Sequence, residues 1–209
     1  MTEPGSLARP VTAVVIGGSA GSVEALSSIL PALLPDCGVA VFVVVHLPRE
    51  RPSLLAEIFQ PRCRVRVTEA QDKEPVVLGT IYFAPPDYHL LIDVGPQLAL
   101  DAGELVHFSR PSIDVLFESA ADAYADRLIG VVLSGANRDG ARGLESIQKA
   151  GGLTLVQRPE TAVAPAMPQA ALDAAPGSLS LTVERISDLL RGISGGRMER
   201  SAVEGWARA

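Results

Sequence analysis

Cysteine is scarce: Cys37 and Cys63 are the only two in 209 residues, with no C-x-x-C spacing between them. With no secretory leader ahead of them, this pattern fits a reducing, cytoplasmic setting better than a disulfide scaffold. Metal-ligand spacing is missing as well. The three histidines, His46, His89 and His107, form neither His-x-x-x-His nor His-Glu-x-x-His, and paired cysteines are absent. Basic residues are few, with 18 Lys and Arg against 24 Asp and Glu for a net charge of -6. The excess of acid, without clustered cations to neutralise phosphates, argues against nucleic acid as the main partner. Long apolar runs are also lacking. The longest, residues 39–45, falls far short of the ~20 residues that a membrane span needs, so we expect a soluble chain with no membrane insertion. There is no internal repeat and no low-complexity tract.

What the chain does have is apolar mass, 47% of its residues, enough for one good core. We read one domain over residues 11–194, with loose ends at 1–10 and 195–209. Apolar β-branched runs predict strands near 11–17, 39–46, 64–68, 128–134, 152–157 and 178–182. Amphipathic stretches predict helices near 21–33, 52–60, 112–126, 140–150 and 183–193. Such alternation, with strands apolar on both faces, means an α/β fold: a mostly parallel sheet covered by helices on both sides. Residues 74–100 break the rhythm. Their Leu78-Gly79, Pro85-Pro86-Asp87 and Gly95-Pro96 turns predict an inserted antiparallel hairpin or meander.

Gly17-Gly18-Ser19-Ala20-Gly21 lies where the first strand stops and the first helix starts. A serine on a tight strand-to-helix turn projects its hydroxyl at the carboxyl end of the sheet, and the N–H groups that follow can hold an oxyanion. The same glycine-rich corner could bind a dinucleotide. That reading requires a second glycine at position 19 and an acid at the end of the second strand, and the chain has Ser19 and His46 instead.

Ligands in such a sheet collect at the carboxyl ends of the strands. Three polar residues stand there: Ser19 after the first strand, His46 after the second, and Asp139 in the loop after Val131-Val132-Leu133. A hydroxyl, an imidazole and a carboxylate are the parts of nucleophilic acyl transfer, and geometry rather than chain order defines such a triad. Each residue also has a structural alternative. Ser19 could cap the first helix, His46 could be a satisfied histidine at a strand end, and Asp139 could cap the helix starting at Ala141; for Asp139 alone the cap is favoured. His89, after a Pro-Pro-Asp turn, and His107 compete weakly as the base, because neither ends a parallel strand.

Six segments in register now carry a resemblance. They are Val14-Val15-Ile16-Gly17-Gly18-Ser19-Ala20-Gly21-Ser22, Val45-His46-Leu47-Pro48, Phe83-Ala84-Pro85-Pro86-Asp87-Tyr88-His89, Arg110-Pro111-Ser112-Ile113-Asp114-Val115-Leu116-Phe117, Leu133-Ser134-Gly135-Ala136-Asn137-Arg138-Asp139-Gly140 and Ala166-Met167-Pro168. Together the chain resembles the catalytic domain of chemotaxis protein-glutamate methylesterases over nearly its whole length. The resemblance implies a modified doubly wound fold and a catalytic Ser19, His46 and Asp139. It implies hydrolysis of γ-glutamyl methyl esters on the cytoplasmic helical bundle of chemoreceptors, with release of methanol and, in some members, deamidation of glutamine. No metal or organic cofactor is needed for that chemistry. Ala20 and Gly21 are the expected oxyanion donors, and Ala136, Arg138 and Met167 the expected substrate-binding residues.

Departures from the family pattern fall around the pocket. Ser19-Ala20-Gly21-Ser22 stands where Ser-Thr-Gly-Gly is common, and Ala136 and Asn137 replace a methionine and a glycine. Gln169 stands where a basic residue is frequent. Only ten residues precede the first strand, which leaves no room for a receiver domain and predicts no phosphorylation switch within the chain. Two other readings stay open on the residues: a non-catalytic module of a chemosensory array, favoured by Ser22, Ala136 and Asn137, and a serine hydrolase acting on another ester.

Overall fold

The structure is a computed structural model and describes residues 10–47, 52–93, 95 and 97–198. Its centre is a seven-stranded sheet of β1 (Ala13–Gly18), β2 (Ala40–Val45), β3 (Arg66–Glu69), β4 (Thr80–Phe83), β7 (Leu128–Val132), β8 (Leu153–Gln157) and β9 (Leu179–Leu181). The order across the sheet is β3-β4-β2-β1-β7-β8-β9, and every pairing is parallel. A separate antiparallel pair joins β5 (His89–Asp93) to β6 (Gln97–Asp101).

All six residues of β1 and all six of β2 are buried. Because successive side chains in a strand point to opposite faces, such runs supply two cores at once. Val14, Ile16, Val41 and Val43 meet α1 (Ser22–Ile29), α2 (Leu55–Phe59) and α6 (Val183–Arg191) on one face. Ala13, Val15, Phe42 and Val44 meet α3 (Ile113–Tyr124), α4 (Ala141–Lys149), α5 (Ala166–Ala174) and the β5–β6 pair on the other. Phe42 stacks there on Tyr82 with ring centroids 5.6 Å apart.

The chain builds one half of the sheet outward from β1 through β2, then crosses to the other side of β1 with β7. The strand order reverses at the β1/β7 boundary, and in such sheets ligands bind outside the carboxyl ends of the strands at that point.

Three expectations need correction. Residues 80–83, read as part of an antiparallel insertion, form β4, a parallel strand between β3 and β2; only β5 and β6 make the hairpin. Helix α5 was not anticipated, because Pro168 interrupts its sequence. Proline is tolerated in a first turn, where its missing N–H has no intrahelical acceptor in any case. Finally, the loose carboxyl end does not begin at residue 195. Gly195 and Gly196 donate to Asp36 O (2.7 Å) and Cys37 O (2.8 Å), Val11 donates to Gly196 O (2.7 Å), and Met198 is buried in the core. The other terminal residues, 1–9 and 199–209, lie outside the described residues.

Candidate active site

Ser19, His46 and Asp139 stand at the carboxyl ends of β1, β2 and β7, where His46 bonds to Asp139. In the β1–β2 register Gly18 stands opposite Val45, so Ser19 and His46 are the next residues on adjacent strands, which run about 5 Å apart. His46 N–H donates to Gly18 O at 3.2 Å, extending the ladder to the histidine. On the other side Ser19 N–H donates to Ser134 O at 2.9 Å, tying the serine to the chain leaving β7.

The Asp139 carboxylate is fully buried and accepts four hydrogen bonds. His46 Nε2 lies 2.8 Å from Oδ2, which also accepts the Ile113 N–H at 2.8 Å. Oδ1 accepts the Ser112 hydroxyl at 2.8 Å and the Asp114 N–H at 3.0 Å. Burial alone pushes the acid up, but the hydrogen bonds from His46 and from the Ile113 and Asp114 N–H groups outweigh it and hold its pKa below the ordinary value. Asp139 is therefore a fixed anion beside the imidazole. The ring nitrogen left over is Nδ1, which has no hydrogen-bond partner among the described residues. Ser19 Oγ makes no hydrogen bond to His46 among them either; catalytic bonds of this kind often tighten only with substrate in place.

Neither capping alternative describes Ser19 or Asp139. The N-cap of α1 is Gly21, with no side-chain cap, and it is the Ser19 carbonyl that is used, accepting from the Ser22 N–H (3.0 Å) and hydroxyl (2.7 Å). Asp139 does not cap α4, whose N-cap is Gly140 without a side-chain bond. It gathers the first donors of α3 instead. The Ala20 and Gly21 N–H groups have no acceptor among the described residues and stand at the start of α1, where a developing oxyanion would need donors.

Of the expected substrate-binding residues, Ala136 and Arg138 are exposed. Ala136 joins Ala164, Pro165, Ala166 and Gln169 around an open depression of about 510 Å³. Met167 is corrected: it is fully buried, with its thioether packed beneath Gly135, where any Cβ would stand 2.5 Å from its sulfur. It supports the floor of the loop and offers substrate no surface.

The competing histidines are engaged elsewhere. His89 is buried, with one ring nitrogen 2.9 Å from Glu104 O and the other accepting the Ser112 N–H at 3.1 Å. His107 Nε2 stands 3.3 Å from Asp114 Oδ2 in a geometry that leaves that buried oxygen without a hydrogen bond. Asn137 has a local use, since its side-chain oxygen accepts the Asp139 N–H at 3.1 Å.

Two supporting residues were not singled out from the sequence. Ser112 was legible only as the serine before a helical run. Ser134, fully buried, donates its hydroxyl to Ala20 O at 2.6 Å and accepts the Ala164 N–H at 2.9 Å, so it joins the turn after Ser19 to the rim of the depression. Nothing in the local sequence signals contacts to residues so far apart. No group of three or more His, Cys, Asp or Glu among the described residues is placed to hold a metal ion.

Comparison with known proteins agrees with this architecture. The family model described as CheB methylesterase matches residues 14–190. A relative from Leptospira interrogans is 44% identical over 177 residues, spanning 85% of this chain and 92% of its own. The protein-glutamate methylesterase/protein-glutamine glutaminase of Symbiobacterium thermophilum is 37% identical over 181 residues; this chain spans about half of that longer protein (50%). The crystal structure of the Thermotoga maritima CheB methylesterase catalytic domain superposes with a TM-score of 0.82 at 29% identity, covering 88% of this chain and 98% of that one. On the family match, the shared fold and this breadth of identity, the chain belongs to the CheB methylesterase family of hydrolases.

Proposed function

We propose that the chain hydrolyses glutamate γ-methyl esters on the cytoplasmic helical bundle of chemoreceptors, within chemotaxis adaptation or a related chemosensory pathway. The observation that carries the reading is the 2.8 Å His46–Asp139 hydrogen bond at the carboxyl ends of adjacent strands, with Ser19 in the next register position. Ser19 Oγ attacks the ester carbonyl while His46 Nδ1 takes the hydroxyl proton. The tetrahedral oxyanion is held by the Ala20 and Gly21 N–H groups. Its collapse leaves a glutamyl-serine ester, and His46 passes the proton to the departing methoxide, which leaves as methanol. Water then attacks the acyl-enzyme, His46 takes a proton from it and returns one to Ser19, and the glutamate side chain is released. Asp139 keeps the imidazole oriented and stabilises its cationic form throughout. The same steps acting on a glutamine side chain would release ammonia.

Ala136 and Arg138, exposed beside the acid, are the residues we assign to substrate contact. The test is methanol release from methylated receptor cytoplasmic fragments by the purified chain beside its Ser19→Ala variant. Release by the parent alone is expected, with both melting alike because the Ser19 side chain caps nothing. Equal release by both would remove Ser19 from the chemistry. No release by either from a demonstrably methylated receptor would favour a binding module or another ester.

A further inference from the structure

A chain of hydrogen bonds runs behind the His46–Asp139 pair and begins at a histidine that the mechanism does not use. His89 opens β5 and is buried. Its Nε2 faces Glu104 O at 2.9 Å, and its Nδ1 receives the Ser112 N–H at 3.1 Å. A carbonyl can only accept and an N–H can only donate, so Nε2 carries the proton and Nδ1 is bare. A single tautomer of the neutral ring satisfies both partners.

Ser112 is the N-cap residue of α3, with extended backbone. From it the donors divide. The Ser112 hydroxyl and the Ile113 and Asp114 N–H groups all point to Asp139, while the Ser112 N–H points the other way, to His89. The carboxylate thus rests in a cradle of three donors from consecutive residues, and His89 holds the cradle from behind. His89 is itself braced. Arg110 donates to the carbonyls of Ala102 (2.6 Å) and Gly103 (2.5 Å) and to Asp87 Oδ1 (2.7 Å), fixing the loop that presents Glu104 O beside the turn that presents His89.

We propose that His89 is a positioning residue for the His46–Asp139 pair: by accepting the Ser112 N–H it aims the cradle that orients the Asp139 carboxylate. This rests on the methylesterase reading for its kinetic consequence, and has a spectroscopic one that does not. Asparagine in place of histidine puts an acceptor near the Nδ1 position, whereas glutamine reaches the Nε2 position and leaves the Ser112 N–H unpartnered. In the full chain, His89→Gln should lower kcat for methanol release roughly ten- to a hundredfold, the scale on which partners that orient a reacting group act. KM for the receptor fragment should not change. The downfield imidazole N–H proton resonance of His46, the signature of its bond to Asp139, should shift or broaden. His89→Asn should keep several-fold more of kcat than His89→Gln and retain the resonance.

Parent-like kcat and resonance in folded His89→Gln would overturn the proposal, and so would an equal fall in both variants. If neither variant folds, the parent decides: imidazole nitrogen shifts of His89 showing a protonated Nε2 and a bare, hydrogen-bond-accepting Nδ1 are expected, and a proton on Nδ1 overturns the proposal. If the parent releases no methanol, the methylesterase reading has failed, and the resonance alone still tests the positioning.

Discussion

Two carboxylates at the start of α3 meet the same burial and titrate in opposite directions. Asp139 is lowered because, against its burial, the hydrogen bonds from His46 and from the Ile113 and Asp114 N–H groups favour its charged form, so the stability it contributes is present above the ordinary carboxylate range and is lost as pH falls through its depressed pKa. Asp114 is raised, first by burial and further by the Asp139 charge, against the opposing Gly143 N–H. Its contribution has the reverse sign, present below the ordinary range and lost as pH rises through the raised pKa. Asp114→Asn keeps an acceptor for the Gly143 N–H and removes the buried charge. We expect that variant to melt at or above the parent temperature near neutral pH, with the gap closing below about pH 4, where an ordinary carboxyl is protonated. Thermal melts across pH check this, and a neutral-pH midpoint several degrees below the parent would refute it. The residue types of the site were legible from Ser19, His46 and Asp139 standing one per strand end. The cradle was not, because Ser112 lies 27 positions from Asp139 and only the fold brings them together.

Among the elements, the turn from β1 into α1 holds Ser19 and the two N–H groups we assign to the oxyanion. Gly21 sits at φ +82° with room for no Cβ: one built there would stand 2.5 Å from Val163 Cβ. Alanine at this position combines left-handed strain with a clash, and it would move the two N–H groups we assign to the oxyanion. Gly21→Ala should cost about 1–3 kcal/mol of stability and lower kcat more than KM rises, as read by denaturant unfolding and methanol release. Full stability would show that the turn yields. Element types followed from period: residues buried on both faces made β1 and β2, and amphipathic spacing made α3 and α4. The misreadings came where local signals compete. Pro168 obscured α5, and β4 is only four residues long between turns, so its partner strands were decided by packing.

Over the whole molecule the site depends on two cores that clamp one sheet, and the sheet is closed at its amino-terminal side by the end of the described chain. Residues 195 and 196 hydrogen-bond to the segments before β1 and β2, and Met198 fills the α1–α6 core. Truncation after Ser194 removes these bonds and that side chain, and should lower unfolding free energy by about 3 kcal/mol or more. An unchanged urea midpoint in the truncated chain would show that the segment contributes nothing. No helix among the described residues is long and apolar enough to cross a membrane.

By itself the sequence determined the α/β class, the doubly buried strands and the three residue types at their ends. Periodicity and turn chemistry are local properties, and residues that follow a parallel strand must emerge at its carboxyl end. Tertiary structure alone decided that β4 enters the sheet, that Met167 is buried, and that Asp139 serves α3 rather than its own helix. It also turned His89 from a rival base into the back of a cradle. Those outcomes depend on which groups meet across long separations, and a hydrogen-bond donor's partner is set by position in space.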